Sequence, residues 1–206
     1  LTSYAKKNPK MMLHVNSEPM LAYRTHRIAK GRNKCLEIMR SQFPDYEYFI
    51  MMDCDDRCHY RLRVNLLMRF LNRRDWDSLS FNHPAGYYDS WALSIRPFVA
   101  SCHHFRDPGQ GVRYVTNLLR SIHPNKLLPC LSAFNGFAIY RTNKFDDCWY
   151  DGNFRTDYIP RQLLIQNIKV SGPIQHNGAL KYEDCEHRFF HFSAVKKHNA
   201  RIMISP

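Results

Sequence analysis

No stretch of this chain approaches the roughly 20 consecutive apolar residues that a membrane-spanning helix needs. No basic, apolar and small-residue succession of the secretory kind opens it. Internal repeats, low-complexity runs and Pro-, Gly- or Ser-rich linkers are also missing. A single domain over residues 1–206 is therefore expected, long enough to bury a core without covalent help. The seven cysteines are odd in number and irregularly spaced, which excludes a small secreted disulfide scaffold. Cys54 and Cys58 are the closest pair, with no second pair nearby to complete a tetrahedral zinc site, so reduced, buried thiols are the expectation. Acidic residues are scarce, 18 against 30 Lys plus Arg, for a formal charge of +12. That balance favours a polyanionic or phosphorylated ligand. The basic residues are spread along the chain, and no RNA-binding or zinc-finger signature accompanies them.

What is present suits a folded domain: apolar residues make up 44% and aromatic residues 14%, outside the range of disordered chains. Residues Leu1 to Lys7 read as the tail of a helix ended by Asn8-Pro9. An upstream segment is therefore expected, carrying any anchor or targeting signal, and a cytoplasmic and a Golgi-lumenal location both stay open. Met11 to Val15 reads as a short strand. From Leu21 to Phe43, apolar residues at Ile28, Cys35, Ile38, Met39 and Phe43 recur at a helical period. Tyr46 to Met52 reads as a central strand covered on both sides, Arg61 to Arg73 as a helix, and Trp76 to Phe81 as the next strand. Further on, Gly109 to Ile122 reads as helix, Phe137 to Tyr140 and Ala200 to Ile204 as strands, and Gly172 to Gly178 as a polar loop. The alternation predicts an open α/β sheet, with ligands gathering outside the carboxyl ends of the strands.

The chemistry-bearing cluster is Asp53-Cys54-Asp55-Asp56, at the end of an apolar strand. Carboxylates converging there suit a hard divalent cation, Mn2+ or Mg2+, that keeps coordination places for substrate phosphates. The plainer reading is an acidic loop neutralised by Arg57 and Arg61. Arg24, Arg27 and Arg32 lie on or beside the preceding helix, and guanidinium forks bind phosphate bidentately; a solvated face is the alternative for each.

The runs Arg27-Ile28-Ala29-Lys30-Gly31-Arg32-Asn33 and Tyr48-Phe49-Ile50-Met51-Met52-Asp53-Cys54-Asp55-Asp56 resemble the donor-binding half of GT-A fold glycosyltransferases. The likeness is to cap-associated mannosyltransferase-like enzymes of fungi and glycosyltransferases of large DNA viruses. Tyr87-Tyr88-Asp89-Ser90-Trp91-Ala92-Leu93 resembles that group's Y-D-x-W-A-L segment. Ser132 to Tyr140 is similar to its S-x-F-x-G-x-x-I-Y segment, and Cys185-Glu186-His187 to its C-E-H segment. The resemblance spans roughly Met11 to Pro206. It implies a GT-A, Rossmann-like open mixed sheet flanked by helices and lacking the first strand. It implies metal-dependent transfer of a sugar from a nucleoside-diphosphate sugar donor to a hydroxyl of a glycan or protein acceptor, with no nucleic acid expected.

Carried over by position, the resemblance makes Asp53 and Asp55 the D-x-D, with Asp55 a metal ligand and Asp53 near the ribose or metal. His187 or His191 completes the metal shell, although both could equally be core residues among Phe189, Phe190 and Phe192. Glu186 is the candidate base for the acceptor hydroxyl, with Asp89 competing and an ion pair with Arg188 as the plain alternative. Asn135 and Gly136 would lie where a turn approaches the donor sugar, at a place where relatives often carry two glycines. Trp91 could stack on a sugar or fill the core. A nucleic-acid-binding module and another metal-dependent phosphoryl-transfer enzyme are the rival readings.

Overall fold

The computed structural model describes residues 1–53, 64–83, 86–175 and 181–206. Among them, six helices and five strands form a mixed α/β arrangement: α1 (Thr2–Lys7), α2 (Arg24–Gln42), β1 (Tyr48–Met52), α3 (Val64–Leu71), β2 (Ser78–Phe81), α4 (Gln110–Ser121), β3 (Leu128–Cys130), β4 (Phe137–Arg141), α5 (Arg161–Ser171), α6 (Glu186–His198) and β5 (Ile202–Ser205). The strands build one open sheet in the order β1-β4-β2-β5-β3. β4 pairs antiparallel with both β1 and β2, β2 runs parallel to β5, and β3 lies antiparallel on β5. Pro129 sits in β3 at the sheet edge, where a missing N–H is tolerated. Among the described residues, no helix is long and apolar enough to cross a membrane.

The period of two along β4 sorts the core into layers. Ala138 and Tyr140 join Ala29 and Leu36 of α2, Met51 of β1, and Phe190 and Ala194 of α6 on one face. Ile139 joins Phe70 of α3, Trp76 and Leu79 on the other. α2 is anchored at its start by a distant carboxylate: Glu183 Oε2 accepts hydrogen bonds from Thr25 N at 2.9 Å and Thr25 Oγ1 at 3.0 Å, satisfying a donor that a helix N-terminus leaves open. Gly152 permits that approach, because a Cβ there would meet the Thr25 carbonyl carbon at 2.5 Å.

Four expectations are corrected. The Met11–Val15 segment forms no strand; Met12, Leu13 and Val15 are exposed and no neighbouring strand pairs with them. β1 is an edge strand rather than a central one, with Ile50 and Met52 about half exposed, because β4 covers one side only. The buried face of α2 is Thr25, Ala29, Arg32 and Leu36, while Cys35 is exposed. It passes through a charged residue, which an apolar-period reading skips. The thiols are free as expected, but only Cys148 and Cys185 of the five described are buried.

Asp77, almost fully buried, ties β2 to β5 by accepting from Arg201 N at 2.8 Å, Nε at 2.9 Å and Nη2 at 3.1 Å. Burial pushes the Asp77 carboxyl up, but the Arg201 hydrogen bonds outweigh it and hold the group below the usual carboxylate range. Its stabilising effect is therefore complete above the unfolded carboxylate range and lost as pH falls through the lower folded value. Asp77→Asn is expected to cost about 2–3 kcal/mol, the scale of hydrogen bonds to a charged group, and to flatten the acid limb of a stability-versus-pH curve measured by urea unfolding.

Candidate functional site

The carboxyl end of β1 is fixed by its neighbour. Asp53 N donates to Gly136 O at 2.9 Å, one step beyond the Met52–Phe137 pair of the β1–β4 register. Asn135 and Gly136 turn into β4 with φ of 58° and 82°, a left-handed conformation that glycine adopts freely and asparagine tolerates. The Asn135 side chain locks the turn. Its Oδ1 accepts from Tyr88 N and Asp89 N, each at 3.1 Å, and its Nδ2 donates to Phe81 O at 2.8 Å. Asp89 answers by accepting from Ala92 N at 3.2 Å and Asn135 N at 3.3 Å.

Arg32 stands at the centre of the cluster. Its guanidinium is nearly buried, with Nη2 at 2.6 Å from Asp53 Oδ1 and Nη1 at 3.0 Å from Glu186 Oε1. Its Cζ lies 4.5 Å from the Phe134 ring centroid. Burial opposes its charge, but Glu186, Tyr150 and Asp53 outweigh that and keep it protonated. Glu186 begins α6, where a helix N-terminus favours a carboxylate. Burial nevertheless dominates and pushes it up to about 7 against the pull of Arg32, with Asp89 and Asp53 adding to the rise. Asp89 is also raised, first by burial and then by Asp53, while the Ala92 and Asn135 amides and Arg32 pull it down. Two carboxylates from two segments thus share one guanidinium, and a third, Asp89, feels its charge without a contact.

His187 stacks on Phe134 at 3.8 Å between centroids. Neither of its ring nitrogens has a hydrogen-bond partner among the described residues, and Nε2 lies 3.8 Å from Glu186 Oε1. Burial, then Arg32 and His191, push its pKa well down and keep the ring neutral. A neutral, buried, unpartnered imidazole beside carboxylates has the donor chemistry of a metal ligand.

The other predicted residues divide. Arg24 lies 6.0 Å from the Trp91 ring, and Trp91 packs partly against the core. Arg27 is spent on the carbonyls of Leu21 and Ala22 through Nη1, at 2.7 and 2.9 Å. Arg32 is occupied by carboxylates rather than open to a phosphate. His191 is fully buried between Ser132 Oγ at 2.9 Å and Tyr140 OH at 3.2 Å. Arg188 pairs with Asp184 at 3.0 Å, not with Glu186, and reaches the Leu93, Val99 and Trp91 carbonyls and Ser94 Oγ. Asp55, Asp56 and Cys54 lie outside the described residues, as do Arg57 and Arg61. Among the described residues, the group of three or more His, Cys, Asp or Glu whose ligand atoms all lie within 4.8 Å of one another is Asp147, Cys148 and His198, at the far end of α6 from Glu186. Asp53 and His187 alone do not form such a group, and Asp53 Oδ1 already faces Arg32. Sequence reasoning missed Arg32 as the shared counter-ion and Glu183 as the cap of α2, since neither has a local signature.

No family model, no curated protein and no solved structure matches this chain.

Proposed function

We propose that this domain, of GT-A type, moves a sugar from a nucleoside-diphosphate sugar to a hydroxyl of a glycan or protein acceptor, with Mn2+ or Mg2+ at the acidic end of β1. The observation that carries this reading is the pairing of Asp53 and Glu186 on the buried guanidinium of Arg32, with Asp89 close enough to feel its charge, in a chain otherwise rich in positive charge. The order of the resembling segments supports it, since all four supply a member of the cluster: Arg32 and Asp53 from the first, Asp89, Phe134 and Asn135, and Glu186 from the others.

Asp53, Asp55 and His187 would hold the cation, whose chemistry is to stabilise charge on the departing nucleoside diphosphate. Glu186 takes the proton of the acceptor hydroxyl. A carboxyl held near 7 accepts that proton at neutral pH and releases it again, as a general base must. Arg32 fixes the spacing of Asp53 and Glu186, so the donor end and the acceptor end of the site keep one geometry. Asp89 holds the Asn135-Gly136 turn, whose backbone lines the sugar position. Asp89 is more exposed than Glu186 and is the second candidate base.

The test is a thermal-shift panel of nucleotide sugars with and without Mn2+. A ligand at about 100 times its Kd stabilises the folded state by about 2.7 kcal/mol, so one donor is expected to raise Tm clearly above its parent nucleotide, and only with metal. Asp55→Ala is expected to remove that effect. Equal stabilisation by plain nucleotides and every nucleotide sugar would instead favour phosphoryl transfer. Salt-dependent retention of nucleic acid on a filter would favour the basic binding module.

A further inference from the structure

At the C-terminal end of α6, three different ligand types meet at one oxygen. Asp147 Oδ1 lies 2.6 Å from His198 Nε2 and 3.6 Å from Cys148 Sγ. Asp147 follows the turn after β4, and its neighbour Cys148 is fully buried. His198 is the last residue of α6, released by the left-handed Asn199. The neighbouring Lys197 also reaches Asp147, its Nζ donating to the Asp147 backbone carbonyl at 3.0 Å. Lys197 Nζ sits on the other oxygen, Oδ2, at 3.0 Å, which leaves Oδ1 to the imidazole and the thiol. The Asp147 side chain is more than half exposed and that of His198 about a third, so solvent reaches the group from one side.

We propose that Asp147, Cys148 and His198 bind a borderline-soft divalent cation of the zinc class, with a fourth position open to water. One carboxylate, one thiolate and one imidazole, drawn from a turn and a helix end, are the donor types zinc takes, and three protein ligands with an open position is a familiar zinc arrangement. A hard cation such as Mg2+ does not select a thiolate, so this site differs in preference from the one proposed at Asp53 and does not depend on it. Tetrahedral bond lengths require the His198 ring to move off Asp147 by roughly 0.7 Å, which a partly exposed side chain at a helix end permits. On binding, the cation displaces the Cys148 proton to solvent, so that the sulfur coordinates as a thiolate. Lys197 competes for Asp147 without blocking Oδ1. Occupied, the site would clamp the turn after β4 to α6, the helix whose other end carries Glu186.

Titration of the folded chain with Co2+ tests this, because a cobalt–thiolate bond gives an intense near-ultraviolet charge-transfer band that carboxylate-only sites lack. The expected result is a saturable band, bleached by one equivalent of Zn2+, with a Zn2+-dependent rise in Tm. Cys148→Ser is expected to abolish the band. His198→Gln, which keeps a hydrogen-bonding side chain against Asp147, is expected to weaken zinc at least about tenfold while leaving the metal-free melt near that of the parent. Absence of the band, or its persistence at full strength in Cys148→Ser, overturns the proposal. So does zinc affinity unchanged in His198→Gln.

Discussion

Arg32→Ala is expected to destabilise the domain by about 3–5 kcal/mol at pH 8, the range for removing one partner from a buried ion pair. The loss is electrostatic before it is steric: Asp53 and Glu186 lose the guanidinium they share, and Asp89 loses the charge that opposes its own rise. The sign of the pH dependence follows. With Arg32 gone, burial of Glu186 loses its largest opponent, only the weaker backbone hydrogen bond still pulling against it, and its folded pKa climbs further above the unfolded value. A group raised in that way contributes stability that is present at low pH and lost as pH rises. The deficit should therefore shrink between pH 8 and pH 5.5 in urea unfolding, and millimolar Mn2+ should recover part of it if the carboxylates accept a cation. Arg32→Lys is expected to fall between, since an ammonium keeps the charge without the planar fork. A deficit equal at both pH values would mean that lost packing against Phe134 and Tyr150 explains the effect and charge does not.

Glu186→Gln separates catalysis from stability. Under the proposed reading, kcat falls about 10²- to 10⁴-fold, the range for a positioned general base, while the Mn2+-dependent thermal shift with donor changes little. Stability moves the other way with pH. The parent carboxyl has a folded value of about 7 against 4.5 unfolded, so its burial costs nothing at pH 4 and on the order of 3 kcal/mol at pH 8. The amide does not titrate, and the variant's stability relative to the parent should rise across that window. Loss of kcat confined instead to Asp89→Asn would move the base to Asp89.

How much of this was legible in the sequence depended on whether the signal was local. α2, α4, β1, β2, β4 and β5 were readable to within a few residues, because apolar period and flanking Pro or Gly are local features. α5, α6 and β3 were not: Arg161–Ser171 has a mixed pattern, Glu186–His198 buries charged and histidine side chains that mask an apolar period, and Leu128–Cys130 contains a proline that only its edge position excuses. The charged cluster was partly legible. Asp53, Asp89, Glu186 and Asn135 were each singled out and do converge, but Arg32 was assigned to phosphate, since nothing in its helix shows that residues 21 and 154 positions away provide its counter-charges. The partners of Arg188 illustrate the same limit. Glu186 is nearer along the chain, yet the extended Cys185 just before α6 folds Asp184 back onto the guanidinium instead. Asp147, Cys148 and His198 had no sequence pattern at all, because the pieces lie fifty residues apart.

β1 holds Asp53 at its tip, yet it is laced to a neighbour along one margin alone, and its five side chains include no charge. Natural sheets commonly guard such margins with lysine, proline or a bulge, and none of these lies within Tyr48–Met52. The aim of the acidic tip is thus borrowed from β4, through one amide on the Gly136 carbonyl. A bulkier side chain at Ala138, which is fully enclosed opposite Met51 and faces α2 and α6, would press on the helix that carries Arg32 and so disturb the Asp53 pair without touching either residue.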